Sequence, residues 1–318
     1  AKGGASETSN YGSGGGGAIA LYYGGTDGTV LDHLGAQGGD HYRQGGTGTI
    51  YLHGPTSTYG DLRLDAGTVD SSWTELPSLG AGTAQAGSSG DTLVTDRASI
   101  QGYFVGHWVE ITSAVDGSLE GRYRIAEITL GTVRLEGSGP SGAPSVDEGD
   151  GFQGAYYFDN LSTVGDVPYR SADPIRTQGD VVLGPGEVLT SRIEAGHLTL
   201  QDGSILRHVH SSPADPQSVV IELTGDLVQE SGAWIDVSKR GYRYNLTYPG
   251  AAGPGGGGGG SHLGLGGYAP GSTYGSVYRP FENGGGGEHS NDGDRGGGVI
   301  RITAQNVTLD GVVDAFGE

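Results

Sequence analysis

The chain has 318 residues, 66 of them glycine, with no cysteine, no methionine and a net charge of −20. Without cysteine there is no disulfide framework, thiol nucleophile or cysteine-ligated metal site. An excess of 37 acidic over 17 basic residues repels a nucleic-acid backbone, and no apolar run of about 18 residues is present to form a membrane span.

The missing initiator methionine suggests a processed product or a piece of something longer, and with no charged-then-apolar leader in residues 1–25 any secretion signal is expected outside these residues. The glycine is concentrated in 12–17, 253–267 and 284–298, while 91–135 and 180–237 alternate apolar and polar residues. That distribution argues for a folded β protein with glycine-rich segments rather than uniform disorder. No Gly-X-Y period exists, which excludes collagen.

Taken in chain order, the predicted strands are short and bounded by Gly, Asp, Asn or Pro. The first are Ala18–Tyr23, Thr49–His53 and Asp61–Leu64. Next come Leu93–Thr95, Trp108–Thr112, Tyr123–Ile128, Val133–Glu136 and Ala155–Phe158. Then follow Val181–Leu183, Val188–Ile193, His197–Leu200, Ser204–His208, Val219–Leu223, Asp226–Glu230 and Ala233–Val237. Val299–Thr303, Val307–Leu309 and Val312–Asp314 end the series. Helix periodicity is almost absent.

Between 181 and 237 the strands recur with very short joins, the cadence of a β-solenoid in which each turn stacks on the last. Residues 84–158 alternate over longer strands with hairpin-like joins such as Val115-Asp116-Gly117, which predicts an inserted antiparallel barrel or sandwich. The expected fold is therefore all-β. Glycine-rich repeats occupy 1–83, the inserted domain 84–158, a solenoid 159–241 and a Gly/Tyr-rich loop region 242–298. A final repeat unit, 299–318, continues into the next copy or subunit.

One unit recurs as GGGGAIALYYGGTDGTVLDHLGAQGG (14–39), GGTGTIYLHGPTSTYGDLRLDAG (45–67), SVVIELTGDLVQESGAWIDVSKRG (218–241) and GGGVIRITAQNVTLDGVVDAFGE (296–318). Repetition of one supersecondary unit is the sequence form of stacking. Written head to tail, the chain ends read DGVVDAFGEAKGG, close to the internal DGTVLDHLGAQGG. This suggests one period of a tandem array or a subunit that docks on its neighbour. The segments GSGGGGAIALYY, AYYFDNLSTVG and GGGVIRITAQNVTLDGVVDAFG resemble those of large, glycine-rich, repetitive exported proteins of bacteria. The resemblance covers the chain except about 84–150. It implies a β-helical, extracellular or cell-surface protein, adhesin-like, and says nothing of chemistry.

Candidate sites are few. Pro254 and Gly255–Gly260 lack the GK[ST] of a phosphate loop, so the glycine tracts are either linkers or closely packed extended chains. Tyr242, Tyr244, Tyr248, Tyr268, Tyr274 and Tyr278 with Arg243 and Arg279 form a contact set suited to subunits or glycans. Asp147, Glu148 and Asp150, and Asn291, Asp292 and Asp294, have the oxygen density of calcium loops without the EF-hand spacing; Asp-Gly turn chemistry alone explains them. His197, His208 and His210 are a weaker metal set. Asp32, Asp65, Asp236 and Asp314 end equivalent strands, which reads as a structural corner rather than a catalytic pair. Asn160, Asn245 and Asn306 head glycosylation sequons. The expected function is a structural unit of an extracellular fibre, sheath or giant surface protein, joined to copies of itself. A glycan-binding adhesin module is the alternative, and a polysaccharide-degrading enzyme the remoter one.

Overall fold

The computed structural model describes residues 2–4, 11–40, 43–137, 142–254, 258–268, 270–287 and 294–317. The chain is all-β and its contacts divide it into two units. One comprises 1–76, 158–171 and 177–318, and the other 77–157 with 172–176.

The larger unit is built from three ladders. The first contains Ala18–Tyr22, Thr49–His53, Asp61–Asp65, Leu161–Val164, Asp180–Leu183, His197–Leu200, Leu227–Gln229 and Val307–Leu309. The second contains Thr74–Leu76, Tyr169–Ser171, Gly186–Thr190, Ser204–Arg207, Trp234–Asp236 and Val312–Asp314. The third contains Arg192–Ala195, Val219–Leu223 and Ile300–Thr303. From Asp180 onward the chain visits first, second and third ladder in rotation. Every pairing between these ladder strands after that point is parallel and without a register shift.

The sequence accounts for this regularity. In Asp180–Leu183, Arg192–Ala195, His197–Leu200 and Val219–Leu223 two apolar residues stand at i and i+2, so the period of two sends both to the same buried face. Register then stacks like on like. Val181, Leu198 and Leu227 form one column of the first ladder, Val188, Leu206 and Ile235 one of the second, and Ile193 and Ile221 one of the third. All are at most 1% exposed. A one-residue slip would turn a whole column outward, so burial itself fixes the register. One departure lies between Thr49–His53 and Asp61–Asp65, which pair antiparallel.

The strand predicted over Val188–Ile193 is two strands, Gly186–Thr190 and Arg192–Ala195, on different ladders. Asp65, Asp236 and Asp314 do end strands, but Asp32 lies in a 3-10 turn, Val30–His33, closed by the Asp32 N–H donating to the Thr29 carbonyl at 3.0 Å.

The smaller unit is antiparallel. Its strands run side by side in the order Val146–Asp147, Ser89–Gly90, Thr92–Val94, Thr132–Glu136, Leu119–Thr129, Trp108–Thr112 and Gly151–Phe158, with Ala81–Thr83 also on the last. The path is open, and among the described residues it does not close into a barrel. Leu93, Phe104, Val109, Ile111, Tyr123, Ile125, Val133, Leu135 and Phe152 make its core. The sequence division begins at residue 84; the contacts begin this unit at Pro77.

Candidate functional site

The last strands of the three ladders define the most distinctive surface. Val307, Leu309 and Val313 are 48%, 45% and 40% exposed. Their partners one strand earlier, Leu227, Gln229 and Ile235, are each 0% exposed. Ile300 and Ile302 are half-buried over the buried Val219 and Ile221. A cleft of about 410 Å³ opens here, lined by Val299, Ile300, Ile302, Val313, His262 and Pro280 among others. Residues that are core by column are thus surface by position. Among the described residues, all three final strands also have a free backbone edge.

Two polar devices lead to this end. Asp61, Asn160, Asp180, His197, Asp226 and Asn306 occupy one corner column at the start of the first ladder's strands. The Asn160 amide donates to Asp61 (2.9 Å), Asn160 Oδ1 accepts from the Asp180 N–H (2.8 Å), His197 Nδ1 accepts from the Asp226 N–H (3.0 Å), and the Asn306 amide donates to Asp226 (2.6 Å). Sequence reasoning missed this ladder. Its signal was present: GDLRL, DNLST, GDVVL, GHLTL, GDLVQ and QNVTL share a polar residue directly ahead of an apolar one. The preceding glycine is needed because a Cβ at Gly225 would sit 2.3 Å from the His197 ring.

The second device is ionic. Arg207 donates to Asp236 and, at 3.1 Å, to Glu187, which also accepts from Arg240 at 3.1 Å. Burial raises the Asp236 carboxyl, but the Ser238 hydroxyl and N–H together with Arg207 outweigh it and hold the group below its usual range. Asp314 is the register partner of Asp236. Asp236 and Asp65 are therefore strand-end residues held by arginines, Arg207 and Arg63.

The glycine tracts, where described, are hydrogen-bonded chain to chain. Gly14 N–H donates to Gly4, Gly39 N–H to Gly14 and Gly45 N–H to Gly39, at 2.8–3.0 Å. A second layer joins Tyr242 N–H to Gly284, Gly284 N–H to Gly297 and Gly259 N–H to Gly267. A Cβ at Gly45 would lie 2.0 Å from the Gly14 oxygen, and one at Gly296 2.1 Å from the Gly284 oxygen. Only glycine permits this approach, and the amides satisfy each other.

The aromatic set divides. Tyr242 is fully buried, and burial pushes its phenol up to about 12. Tyr274 stacks on Tyr248 with ring centres 5.6 Å apart and donates its hydroxyl to the Asn283 carbonyl at 2.8 Å. Tyr244 and Tyr248 are partly exposed, while Tyr268 and Tyr278 stand out at 87% and 94%. Arg279 and Arg301 both lie over Phe281, at 5.5 and 4.0 Å. The backbone carbonyl of Arg243 accepts from the Leu246 N–H.

Of the calcium candidates, Asp150 is buried and its carboxylate accepts from the Ala114 and Asp147 amides, at 3.1 and 2.7 Å. Asp147 and Glu148 point to solvent. Asn291 and Asp292 lie outside the described residues; the Asp294 carbonyl accepts from the Gly287 N–H. Among the described residues no group of three His, Asp or Glu side chains is assembled around a metal-sized space. His208 is fully buried beyond the end of its strand, and His197 belongs to the corner column.

The smaller unit holds two buried charge centres that the sequence did not disclose. Asp173, 0% exposed, accepts from Ser78 Oγ (2.7 Å), the Leu79 and Gly80 amides (2.8 and 2.9 Å) and His107 Nε2 (3.0 Å). Glu110 accepts from Tyr157 and from Arg176. Both are saturated by their neighbours and present no open reacting atom. No protein-family model, curated protein or solved structure matches the chain.

Proposed function

We propose that the chain is a structural building unit of an extracellular or cell-surface fibre, sheath or giant surface protein, and that it stacks end to end with copies of itself. In this reading the three parallel ladders are the faces of a β-solenoid, whose axial growth is limited only by what covers its last strands. The observation that carries it is the exposure of Val307, Leu309 and Val313 against the complete burial of Leu227, Gln229 and Ile235 beneath them. Covering each such side chain contributes roughly 1–2 kcal/mol, and a free parallel edge supplies backbone hydrogen bonds as well.

The saturated corner and ionic ladders and the side-chain-free glycine layers support a cohesive material rather than a catalyst. The test is electron microscopy and light scattering of the purified chain. Filaments or a concentration-dependent mass increase are expected, and Leu309→Asp with Val313→Asp should abolish them. A wild-type chain that stays monomeric to millimolar concentration would remove the reading.

A second reading rests on a different observation. Tyr268 and Tyr278 expose their rings, and Arg279 and Arg301 lie over the ring of Phe281, side-chain types suited to glycans. A glycan array with the isolated chain tests it, with loss of signal in Tyr278→Ala expected.

A further inference from the structure

Neighbouring copies of the sequence repeat pair by one rule. In the copies 218–241 and 296–318, Val219, Val220, Ile221 and Glu222 face Ile300, Arg301, Ile302 and Thr303, in parallel and with the inward apolar residues matched. In the copies 14–39 and 45–67, Ala18–Tyr22 faces Thr49–His53, again parallel and in equivalent register. Among the described residues, the strands that open the first and the last copy, Ala18–Tyr22 and Ile300–Thr303, each keep one free edge. Both follow a glycine run, as GGGVIRIT and GGGGAIALY.

We propose that the free edge of Ile300–Thr303 receives strand Ala18–Tyr22 of a second copy of this chain, in parallel, with Ile300 beside Ile19, Arg301 beside Ala20, Ile302 beside Leu21 and Thr303 beside Tyr22. The joint rests on the end-to-end stacking read above and specifies its register.

Three observations support it. The faces match: Ile19 and Leu21 are the half-buried positions of their strand, as Ile300 and Ile302 are half-buried on theirs, where they line the cleft. A shift by one residue would place Ala18 and Ala20 over that cleft and turn the isoleucine and leucine to solvent. The outward column is sterically open, because Arg301 meets the small Ala20. The glycines also match: the register sets Gly297 beside Gly16, and both already make the same contact in their own copies. A Cβ at Gly297 would lie 1.9 Å from the Ala315 oxygen, and a Cβ at Gly16 1.9 Å from the Ala36 oxygen. The joint thus extends one glycine layer into the next.

The chain contains no cysteine, so introduced thiols report cleanly. Full-length Arg301→Cys is mixed with full-length Ala20→Cys, Ala18→Cys or Tyr22→Cys, and each mixture is mildly oxidised and followed on a denaturing gel. The alternative positions face the same side but lie about 6.5 Å along the strand from the matched one. Cross-linking with Ala20→Cys at least ten times faster than with the other two is expected, since disulfide geometry demands adjacent Cβ atoms. Equal rates, or preference for Ala18→Cys or Tyr22→Cys, in chains that still form filaments would overturn this joint and leave end-to-end stacking standing. Absence of filaments in the unmodified chain would overturn the stacking itself and this joint with it.

Discussion

Gln229 donates its side-chain amide to the carbonyl oxygen of Val312 at 2.8 Å, across 83 residues of sequence. The same nitrogen donates to the Ala233 carbonyl at 2.8 Å, and the residue is fully buried. One glutamine in a first-ladder column of leucines thus ties the last strand of the second ladder to the turn that leads into Trp234–Asp236. Replacement by leucine keeps the volume and leaves two backbone oxygens with one donor fewer each. Gln229→Leu is expected to cost roughly 1–3 kcal/mol. Urea unfolding measures this, and faster amide exchange should be confined to residues near 307–314. An unchanged midpoint would show that the bridge contributes nothing.

The glycine layers make a position-specific prediction. Gly45→Ala and Gly296→Ala each drive a Cβ to about 2 Å of a backbone oxygen, whereas a Cβ at Gly24 meets nothing within 4 Å. The first two should destabilise by more than about 3 kcal/mol or prevent folding. Gly24→Ala should stay within about 0.5 kcal/mol of the parent. Circular dichroism melts of the three variants decide. Equal tolerance at all three positions would mean that the tracts are not packed against each other in solution.

Burial pushes the His208 imidazole down to about 4, against an ordinary value of 6.5. Nδ1 lies 2.5 Å from the Val209 carbonyl, while Nε2 is buried without a partner. The folded state therefore holds the neutral ring. Between pH 6.5 and 4 the unfolded chain binds more protons, so the stability contribution is fully present above pH 6.5 and is lost as pH falls through that window. The loss from this residue approaches roughly 3 kcal/mol. Denaturant titrations at pH 7.5 and 5 should show it in the parent, and a shallower slope in His208→Phe. Identical slopes would contradict the assignment.

Asp173 is the point at which the smaller unit concentrates its buried charge. Burial raises its carboxyl, but hydrogen bonds from His107, Ser78 and the Leu79 and Gly80 amides outweigh that and hold it below its usual range. Asp173→Asn removes the charge and turns one acceptor into a donor facing donors. A loss of about 3–5 kcal/mol is expected, read as a lowered melting transition with loss of near-ultraviolet signal from Tyr156, whose ring packs edge-on against His107.

Leu130 adopts φ of 55° at an exposed hairpin corner. Left-handed backbone costs leucine about 1–2 kcal/mol, and asparagine tolerates it better. Leu130→Asn should therefore raise stability by about 0.5–1 kcal/mol. A melting temperature lower than the parent's would refute this account of the corner.

The strands were legible where two apolar residues flank one polar residue between turn residues. His197–Leu200, Val219–Leu223 and Val307–Leu309 have in the structure the limits the pattern predicts. Thr74–Leu76, Leu161–Val164 and Tyr169–Ser171 were not legible, because three or four residues broken by Asp, Gly or Pro do not establish a period by themselves. The register of their neighbours makes them strands. The corner column from Asp61 to Asn306 escaped for a related reason: each polar residue alone is ordinary turn chemistry, and only stacking turns six turns into one ladder.

By itself the sequence determined composition, alternation and repetition. Alternation commits each segment to a two-faced strand, and repetition makes those strands interchangeable partners. It could not determine which strand pairs with which, because short equivalent strands have nearly equal local preferences. The tertiary structure decided that by burial, since a column closes only when leucine meets leucine at zero exposure. It also decided that Val307, Leu309 and Val313, which are the same kind of residue as Leu227 and Ile235, are surface. Whether such a side chain is core depends on there being another strand above it.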